Sequence, residues 1–172
     1  MNKVELARRV KEAAYLEGDF LLRSGRRSKY YLDKYLFETE PEILAELGRR
    51  LADRVGVHVN KIAGAELGAV PLAAATSMAS GKPYVIIRNK KKDYGTSKPI
   101  EGRLEKGDIV LLVEDVVTSG GQILEAAKAL EEAGAKIERI VAVIDRQEGG
   151  REKIEEAGYS FESILTKADL GI

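Results

Sequence analysis

The chain has 172 residues, the size of one domain with one substantial hydrophobic core. Its 28 Lys and Arg residues balance 28 Asp and Glu residues, so its zero net charge argues against a protein that mainly binds nucleic acid or an anionic membrane. Cysteine is absent, which excludes disulfide bonds, thiolate metal sites and a cysteine nucleophile. The amino-terminal stretch is charged and amphipathic, and no apolar run has the length of a transmembrane helix, so we expect a cytoplasmic protein.

The first part of the chain predicts a helix and two short strands. Residues 2–17 place apolar side chains on one face, and Asn2 with Glu5 fits a capping box. The aromatic-rich segments 20–23 and 29–36 fit strands on either side of a Ser-Gly turn. The basic residues among these tyrosines fit either a solvated hairpin or a flap that offers aromatic surface and cationic donors to a flat anion.

From residue 41 onward, apolar strands alternate with helices. Helices are predicted at 41–55, 69–80, 122–133 and 150–157, and strands at 61–65, 83–88, 109–113, 139–144 and 160–165. Such alternation predicts an α/β fold, in which a central parallel sheet is flanked by helices through right-handed crossovers. No repeat or interdomain linker interrupts the pattern, so we expect a single domain at 1–172.

One connection breaks this alternation. Between the strands that end at Arg88 and begin at Ile109, the chain is rich in lysine and has no apolar face to bury. A long connection without a core-forming face is usually a disordered segment or a functional lid. The residues therefore indicate either a solvated basic loop or a mobile arm that closes over a polyphosphate, with Gly95 and Gly102 as hinges.

The most informative stretch is Ile109 to Gly121, which reads IVLLVEDVVTSGG. Its apolar run fits a strand buried on both faces, and Glu114 and Asp115 follow at the carboxyl end, where open α/β sheets bind ligands. The small residues Thr118 to Gly121 lead into a helix, whose first N–H groups and dipole attract an anion. The pattern predicts two acceptors for hydroxyl groups beside a cradle for one phosphate, which is half of a phosphosugar site.

The segment VLLVEDVVTSGG resembles the phosphoribosyl pyrophosphate (PRPP) motif of the type I phosphoribosyltransferases. Four further segments are similar to those of the orotate phosphoribosyltransferase family: FLLRSGRRSKYYLD to its substrate hood, IAGAELGAVPLA to its pyrophosphate loop region, IIRNKKKDYGTSKPIEG to its flexible catalytic loop, and VIDRQEGG to the strand after the motif helix. The resemblance implies the type I phosphoribosyltransferase fold, with a small hood at about 1–40, a core at about 41–172 and a flexible loop at about 89–107.

The resemblance also implies roles for individual residues. The acidic pair, Glu114 and Asp115, would accept hydrogen bonds from the ribose hydroxyls. The loop around the 5′-phosphate would comprise Val116, Val117, Thr118, Ser119, Gly120, Gly121 and Gln122. The residues acting on the pyrophosphate, both in binding and in catalysis, would be Arg88, Lys92 and Tyr94. The residues that contact orotate would be Thr118, Arg146, Tyr31 and Arg23.

This sequence departs from the family pattern at four of these places. Asn89 and Tyr94 stand in the flexible loop where lysine and histidine are usual. Gly68 stands where some members carry a lysine in the pyrophosphate loop, and Arg23 replaces a lysine of the hood. The departures bear on individual site assignments more than on the family resemblance.

The implied reaction joins orotate to PRPP, giving orotidine 5′-monophosphate and pyrophosphate, in pyrimidine (UMP) biosynthesis. Mg²⁺ would arrive on PRPP rather than in a metal site of the protein, and a homodimer would share the loop across its interface. One alternative is a phosphoribosyltransferase for another nucleobase, although the cationic donors Arg23 and Arg146 suit the carboxylate of orotate. The other is a regulator that senses PRPP or a nucleotide without catalysis.

Overall fold

Two sheets of different size organise the fold in the computed structural model, which describes residues 1–22, 25–89, 95 and 98–172. The smaller sheet is the antiparallel pair β1 (Tyr15–Leu21) and β2 (Arg27–Leu32). The larger comprises β3 (Lys61–Ala65), β4 (Tyr84–Ile87), β5 (Ile100–Glu101), β6 (Ile109–Val117), β7 (Lys136–Asp145) and β8 (Phe161–Thr166). The helices are α1 (Lys3–Ala14), α2 (Lys34–Glu38), α3 (Pro41–Ala52), α4 (Ala69–Ser80), α5 (Gly121–Glu132), α6 (Gly150–Glu156) and α7 (Lys167–Leu170).

The larger sheet has the order β5-β4-β3-β6-β7-β8 and is parallel except for the β4–β5 pair. This confirms the predicted α/β fold with a mostly parallel central sheet. β6 lies in the middle, paired with β3 on one side and β7 on the other. In the described part of the chain, no helix combines the length and apolar composition that a membrane crossing requires.

β6 is apolar from Ile109 to Val113 because hydrophobic layers cover both of its faces. Leu111 and Val113 belong to the layer that contains side chains of α1, α3 and α4. Val110 and Leu112 belong to the opposite layer, which is formed largely by α5 and α6. Alternate residues of one strand thus enter different layers, so a continuous apolar run, rather than an alternating one, is the pattern that fits this position.

The prediction for residues 15–38 was partly wrong. α1 ends at Ala14, because Tyr15 begins β1 and pairs with Leu32 of β2. The second strand ends at Leu32 rather than at 36, since α2 begins at Lys34 after the Asp33 side chain accepts a hydrogen bond from the Tyr35 N–H. The aromatic residues after Asp33 therefore lie on a helix instead of a strand.

The predicted loop at 89–107 also contains regular structure. Residues 90–94 and 96–97 lie outside the described residues, but Ile100 and Glu101 form β5, antiparallel to β4. The Arg88 N–H donates to the Pro99 carbonyl over 2.8 Å, extending this pairing. The expectation of a loop without a strand was thus wrong at its carboxyl-terminal side, where a short edge strand caps the sheet.

The contact between α3 and α4 depends on the absence of a side chain at Gly48. A Cβ atom there would lie 2.8 Å from the Cβ of Ala75 and 2.9 Å from its carbonyl carbon and oxygen, well inside van der Waals contact. We expect Gly48→Ala to lower the free energy of unfolding by about 1–3 kcal/mol through overpacking, although alanine favours a helix over glycine.

Urea denaturation would measure this change, with Gly121→Ala as the control. A Cβ at Gly121 meets only Ser119 Oγ, at 3.9 Å, so the control variant keeps its stability or gains slightly. Equal stability of the two variants would contradict the proposed packing constraint between α3 and α4.

Candidate active site

A cavity of about 490 Å³ opens at the carboxyl ends of β3, β4 and β6. Its lining includes the acidic pair at the end of β6, the segment after β3, the end of β4 and one side of α5. The lining residues are Lys34, Ala65, Glu66, Leu67, Gly68, Ile87, Arg88, Asn89, Glu114, Asp115, Gln122, Glu125, Ala126 and Ala129. The predicted ribose and pyrophosphate residues Glu114, Asp115 and Arg88 are thus brought together.

The acidic pair lies inside β6, not after it, and both carboxyl groups are buried. Glu114 Oε1 accepts from the Asp115 N–H over 3.0 Å, and Asp115 Oδ1 accepts from the Val116 N–H over 2.5 Å. Burial, followed by the charge of Asp115, raises the pKa of Glu114. The free site therefore disfavours two adjacent negative charges and is receptive to hydrogen-bond donors.

Lys34 supplies the charge that balances this pair, although it was not among the predicted site residues. Its Nζ lies 2.5 Å from Asp115 Oδ2. Burial acts to lower the pKa of Lys34, but the charge and hydrogen bond of Asp115 outweigh burial and raise it, so the ammonium persists. The error followed from extending the second strand to 36. The available signal was Asp33, a good helix N-cap immediately before Lys34.

Glu38 lies one helical turn after Lys34 and is only 1% exposed. Both of its carboxyl oxygens are buried, and neither has a hydrogen-bond partner among the residues that the structure describes. Burial first, and then the charge of Asp115, raise the pKa of Glu38 to about 8, whereas Lys34 acts in the opposite direction. This side chain consequently favours its neutral form at pH 7.

The turn after β6, which the sequence predicts to bind an anion, leads directly into α5. Thr118 and Ser119 are exposed, and Gly120 has a φ of 77°, a left-handed conformation that favours glycine. A Cβ at Gly150 would lie 2.4 Å from Val117 Cγ1 and 2.6 Å from the Thr118 oxygen, so the turn packs closely on the start of α6. The other predicted residues of this loop lie at its two ends: Val116, Gly121 and Gln122.

Arg146 follows β7 directly beside this turn. Its backbone N–H donates to the Val117 carbonyl over 2.9 Å, which places it at the edge that carries the acidic pair. Its Nη2 donates to the Tyr30 hydroxyl over 3.1 Å and lies 3.2 Å from Glu148 Oε1. The guanidinium predicted to read orotate is thus anchored from the hood and from its own loop.

Tyr30 of β2 contacts Arg146, whereas the neighbouring Tyr31, predicted to contact orotate, does not. Tyr30 stacks on Tyr15, with ring centroids 5.5 Å apart. Tyr31 is 45% exposed and packs against Phe20 at 5.7 Å. Neighbouring residues of a strand face opposite sides, and two adjacent tyrosines carry no pattern that tells the sides apart. The prediction that Tyr31 contacts orotate is compatible with its exposed ring, and the contact of Tyr30 with Arg146 was not predicted.

The predicted leaving-group residues are only partly described. Arg88 is half-buried on the cavity wall, with Nη1 at 3.8 Å from Glu101 Oε1. Its Nε is buried and has no hydrogen-bond partner within the described ranges. Asn89 is exposed beside it. Lys92 and Tyr94, as well as Arg23 of the hood, lie outside the described residues.

The described residues offer no enclosed metal site. No group of three or more His, Asp or Glu side chains among them is arranged to hold an ion. The carboxylates on the cavity wall are nevertheless oxygen donors of the class that Mg²⁺ prefers. This donor set fits a magnesium ion that is bound mainly by phosphate oxygens of a ligand.

Comparisons with known proteins show which family the chain is similar to. The sequence model described as "Phosphoribosyl transferase domain" matches residues 37–168. The orotate phosphoribosyltransferase of Natronomonas pharaonis is 44% identical over 171 residues, covering 99% of this chain and 98% of that protein. That of Halobacterium salinarum is 48% identical over 153 residues, covering 89% of this chain and 87% of that protein.

A solved structure shows the same similarity in three dimensions. The crystal structure of Mycobacterium tuberculosis orotate phosphoribosyltransferase in complex with PRPP superposes with a TM-score of 0.82. Its sequence is 32% identical, and the match covers 99% of each chain. The similarity thus extends through the hood as well as the central sheet.

The raised pKa of Glu38 predicts how stability changes with pH. The carboxyl group of Glu38 keeps its proton up to about pH 8 in the folded protein, whereas the unfolded chain releases it near pH 4.5. Glu38 therefore adds its full contribution to the free energy of unfolding below pH 4.5, and this contribution falls as the pH rises from 4.5 to 8. One proton corresponds to about 1.4 kcal/mol per pH unit. We expect the free energy of unfolding of Glu38→Gln to fall less steeply with rising pH than that of the wild type.

Urea denaturation at several pH values from 5 to 8 would measure the slope. Glu125→Gln removes an exposed carboxyl from the same cavity wall and serves as the control, with the wild-type slope expected. If Glu38→Gln declines as steeply as the wild type, Glu38 is ionised in the folded protein and the prediction is wrong.

Proposed function

The chain belongs to the phosphoribosyltransferase family and, within it, to the orotate phosphoribosyltransferases, and from this premise we propose that it transfers the 5-phosphoribosyl group of PRPP to orotate. The products are orotidine 5′-monophosphate and pyrophosphate, in pyrimidine biosynthesis. The observation that carries the proposal is the buried pair Glu114 and Asp115, which lies on the cavity wall immediately before an anion-binding turn.

The reaction is a substitution at the anomeric carbon of the ribose. The bond from this carbon to the pyrophosphate oxygen breaks with its electron pair leaving on pyrophosphate. A bond to a ring nitrogen of orotate forms, and the proton of that nitrogen passes to pyrophosphate or water. The transition state resembles an oxocarbenium ion, as in glycosyl transfer generally. The protein therefore has to hold the sugar and stabilise the charge that grows on the leaving group.

The acidic pair and the following turn hold the sugar phosphate. The carboxyl oxygens of Glu114 and Asp115 accept hydrogen bonds from the ribose hydroxyls, and the negative charge that the pair carries favours a cationic sugar ring. The segment from Val116 to Gln122 binds the 5′-phosphate through backbone N–H groups and the exposed hydroxyls of Thr118 and Ser119. Fixing both ends of the ribose leaves its anomeric carbon directed into the cavity.

The hood and Arg146 select the base. A guanidinium matches the two oxygens of a carboxylate, and the anchoring of Arg146 by Tyr30 and Glu148 supports this role because it restricts the orientation of the donor. Tyr31 offers an exposed ring to the pyrimidine, and Thr118 and Arg23 add polar contacts. Purines lack the carboxylate that would satisfy Arg146.

The pyrophosphate is stabilised by Arg88, Lys92 and Tyr94. Arg88 supports this assignment through its place on the cavity wall. Glu114 and Asp115 would be the oxygen donors nearest to a Mg²⁺ ion that arrives on PRPP, and such an ion would supply positive charge to the pyrophosphate. Exclusion of water from the cavity protects PRPP from hydrolysis.

The protein acts in the cytoplasm as a homodimer, as a single domain at 1–172 with its hood at about 1–40. Apolar side chains exposed on the hood and beside the cavity support an association surface: Leu21, Tyr31, Tyr35, Leu36 and Leu67. Because Arg88 lines the cavity of its own subunit, the exchange of residues across the interface concerns Lys92 and Tyr94.

A panel of bases tests the function directly. The protein is incubated with PRPP and Mg²⁺, and consumption of orotate, uracil, adenine, hypoxanthine and guanine is compared. We expect orotate alone to be consumed with release of pyrophosphate, because only orotate carries a carboxylate. Turnover of a purine instead would indicate a phosphoribosyltransferase for another base, and no turnover of any base would indicate a regulator.

Lys92→Ala tests the leaving-group assignment. We expect kcat to fall by about a hundredfold or more while PRPP binding is largely retained, because the ammonium acts on charge that develops in the transition state. Near-normal turnover would show that Lys92 is not the main cation.

The same variant tests the shared loop. Mixing Lys92→Ala with Asp115→Asn subunits should restore part of the activity, since each hybrid dimer contains one site with both native groups. If hybrid dimers form and remain inactive, each site is complete within one subunit. Mixing each variant with itself provides the baseline.

A further inference from the structure

The ammonium of Lys34 has no part in the reaction as described so far, yet it lies at the centre of the site. It reaches from the first residue of α2 to Asp115 Oδ2, 2.5 Å away. The Lys34 side chain is 32% exposed, whereas that of Asp115 is 4% exposed. A partly exposed cation thus covers the side of a buried carboxylate that faces the cavity.

Gly68 makes this position possible. A Cβ atom at Gly68 would lie 1.7 Å from Asp115 Oδ2 and 3.1 Å from Lys34 Cε. Any side chain at position 68 would therefore collide with the carboxylate and crowd the lysine. Because position 68 has no side chain, the ammonium of Lys34 can lie between Asp115 and the segment that follows β3.

Binding of a ribose hydroxyl conflicts with this ion pair. Asp115 Oδ1 already accepts from the Val116 N–H, and Oδ2 is paired with Lys34. A hydroxyl that donates to Asp115 therefore shares its oxygens with the Val116 N–H and the Lys34 ammonium. A carboxylate oxygen that accepts a second donor binds each of them less strongly, so the ribose hydroxyl weakens the hold of Asp115 on Lys34.

The described part of the cavity wall carries few cations that could bind the phosphates of an entering ligand. Among the described lining residues, four are acidic, namely Glu66, Glu114, Asp115 and Glu125, and two are cationic, namely Lys34 and Arg88. A polyanion entering this cavity meets an excess of carboxylates unless a cation accompanies it. Lys34 has a flexible stem and a compact charge, which suits a contact that changes partner.

We propose that Lys34 is a PRPP-binding residue whose ammonium moves from Asp115 Oδ2 to an oxygen of the diphosphate group as a ribose hydroxyl takes its place on Asp115. The inference rests on the proposed function, because it requires PRPP as the ligand. No covalent bond changes, and the proton stays on Lys34. The exchange gives the incoming diphosphate a cation, while the ribose hydroxyl replaces the ammonium as a hydrogen-bond donor to Asp115.

Three ligands separate this role from a merely structural one. Calorimetry would compare PRPP, inorganic pyrophosphate and ribose 5-phosphate, which has the hydroxyls but no diphosphate. For Lys34→Met we expect the affinities for PRPP and pyrophosphate to fall about tenfold or more, the range of a lost charged contact. The affinity for ribose 5-phosphate should stay constant or rise, because its hydroxyls no longer compete with an ammonium.

Lys61→Met is the matched control, since Lys61 is also half-buried but lies at the amino end of β3. It should leave all three affinities unchanged, and Lys34→Arg should restore part of the PRPP affinity. If Lys34→Met leaves Asp115 uncompensated and does not fold, Lys34→Gln, which keeps a donor to Asp115 without the charge, should give the same divergence between ligands.

Two results would overturn the inference. Equal losses for PRPP and ribose 5-phosphate in a folded variant would assign Lys34 to the structure of the site alone. Tighter PRPP binding would show that Lys34 only blocks the acidic pair. Failure of the proposed function is distinguishable, because the wild-type protein would then not consume orotate, whereas the comparison of the three ligands measures binding alone.

Discussion

The burial of two adjacent carboxyl groups at the end of β6 is the constraint around which the site is built. Such groups are stable in a folded protein only when neighbouring donors or cations compensate them. The compensation comes from the Val116 N–H and the ammonium of Lys34, and the absence of a side chain at Gly68 leaves room for both Asp115 and Lys34. These contacts tie α2 to the end of β6 and leave one edge of the cavity rich in acceptors.

The central sheet and its acidic strand were predictable because their signals are local. An apolar run without alternation indicates burial on both faces, and the small residues after it indicate a turn into a helix. The predicted β3 and α4 have the observed bounds, and α5 begins one residue earlier than expected. An element is predictable from the sequence where several consecutive residues share the same apolar or small side-chain type.

The parts that were missed depend on contacts between distant residues. Residues 34–38 are rich in aromatic and apolar side chains and fit a strand by propensity alone, but Phe37 is fully buried in the layer with α1 and α3, and this packing favours a helix. The helix in turn brings Lys34 to Asp115. No local pattern specifies such a pair, or decides which of two successive tyrosines reaches Arg146.

The pairing of β4 with β5 has a consequence for how such enzymes diverge. The Arg88 N–H and the Pro99 carbonyl are joined at 2.8 Å, and Ile87 pairs with Ile100, so the chain is closed at the base of the connection. The edge strand is therefore held on β4 by its own backbone and side-chain pairing. A substitution at the exposed Asn89 leaves that pairing in place, so selection at this position acts on the cavity that Asn89 lines rather than on the edge of the sheet.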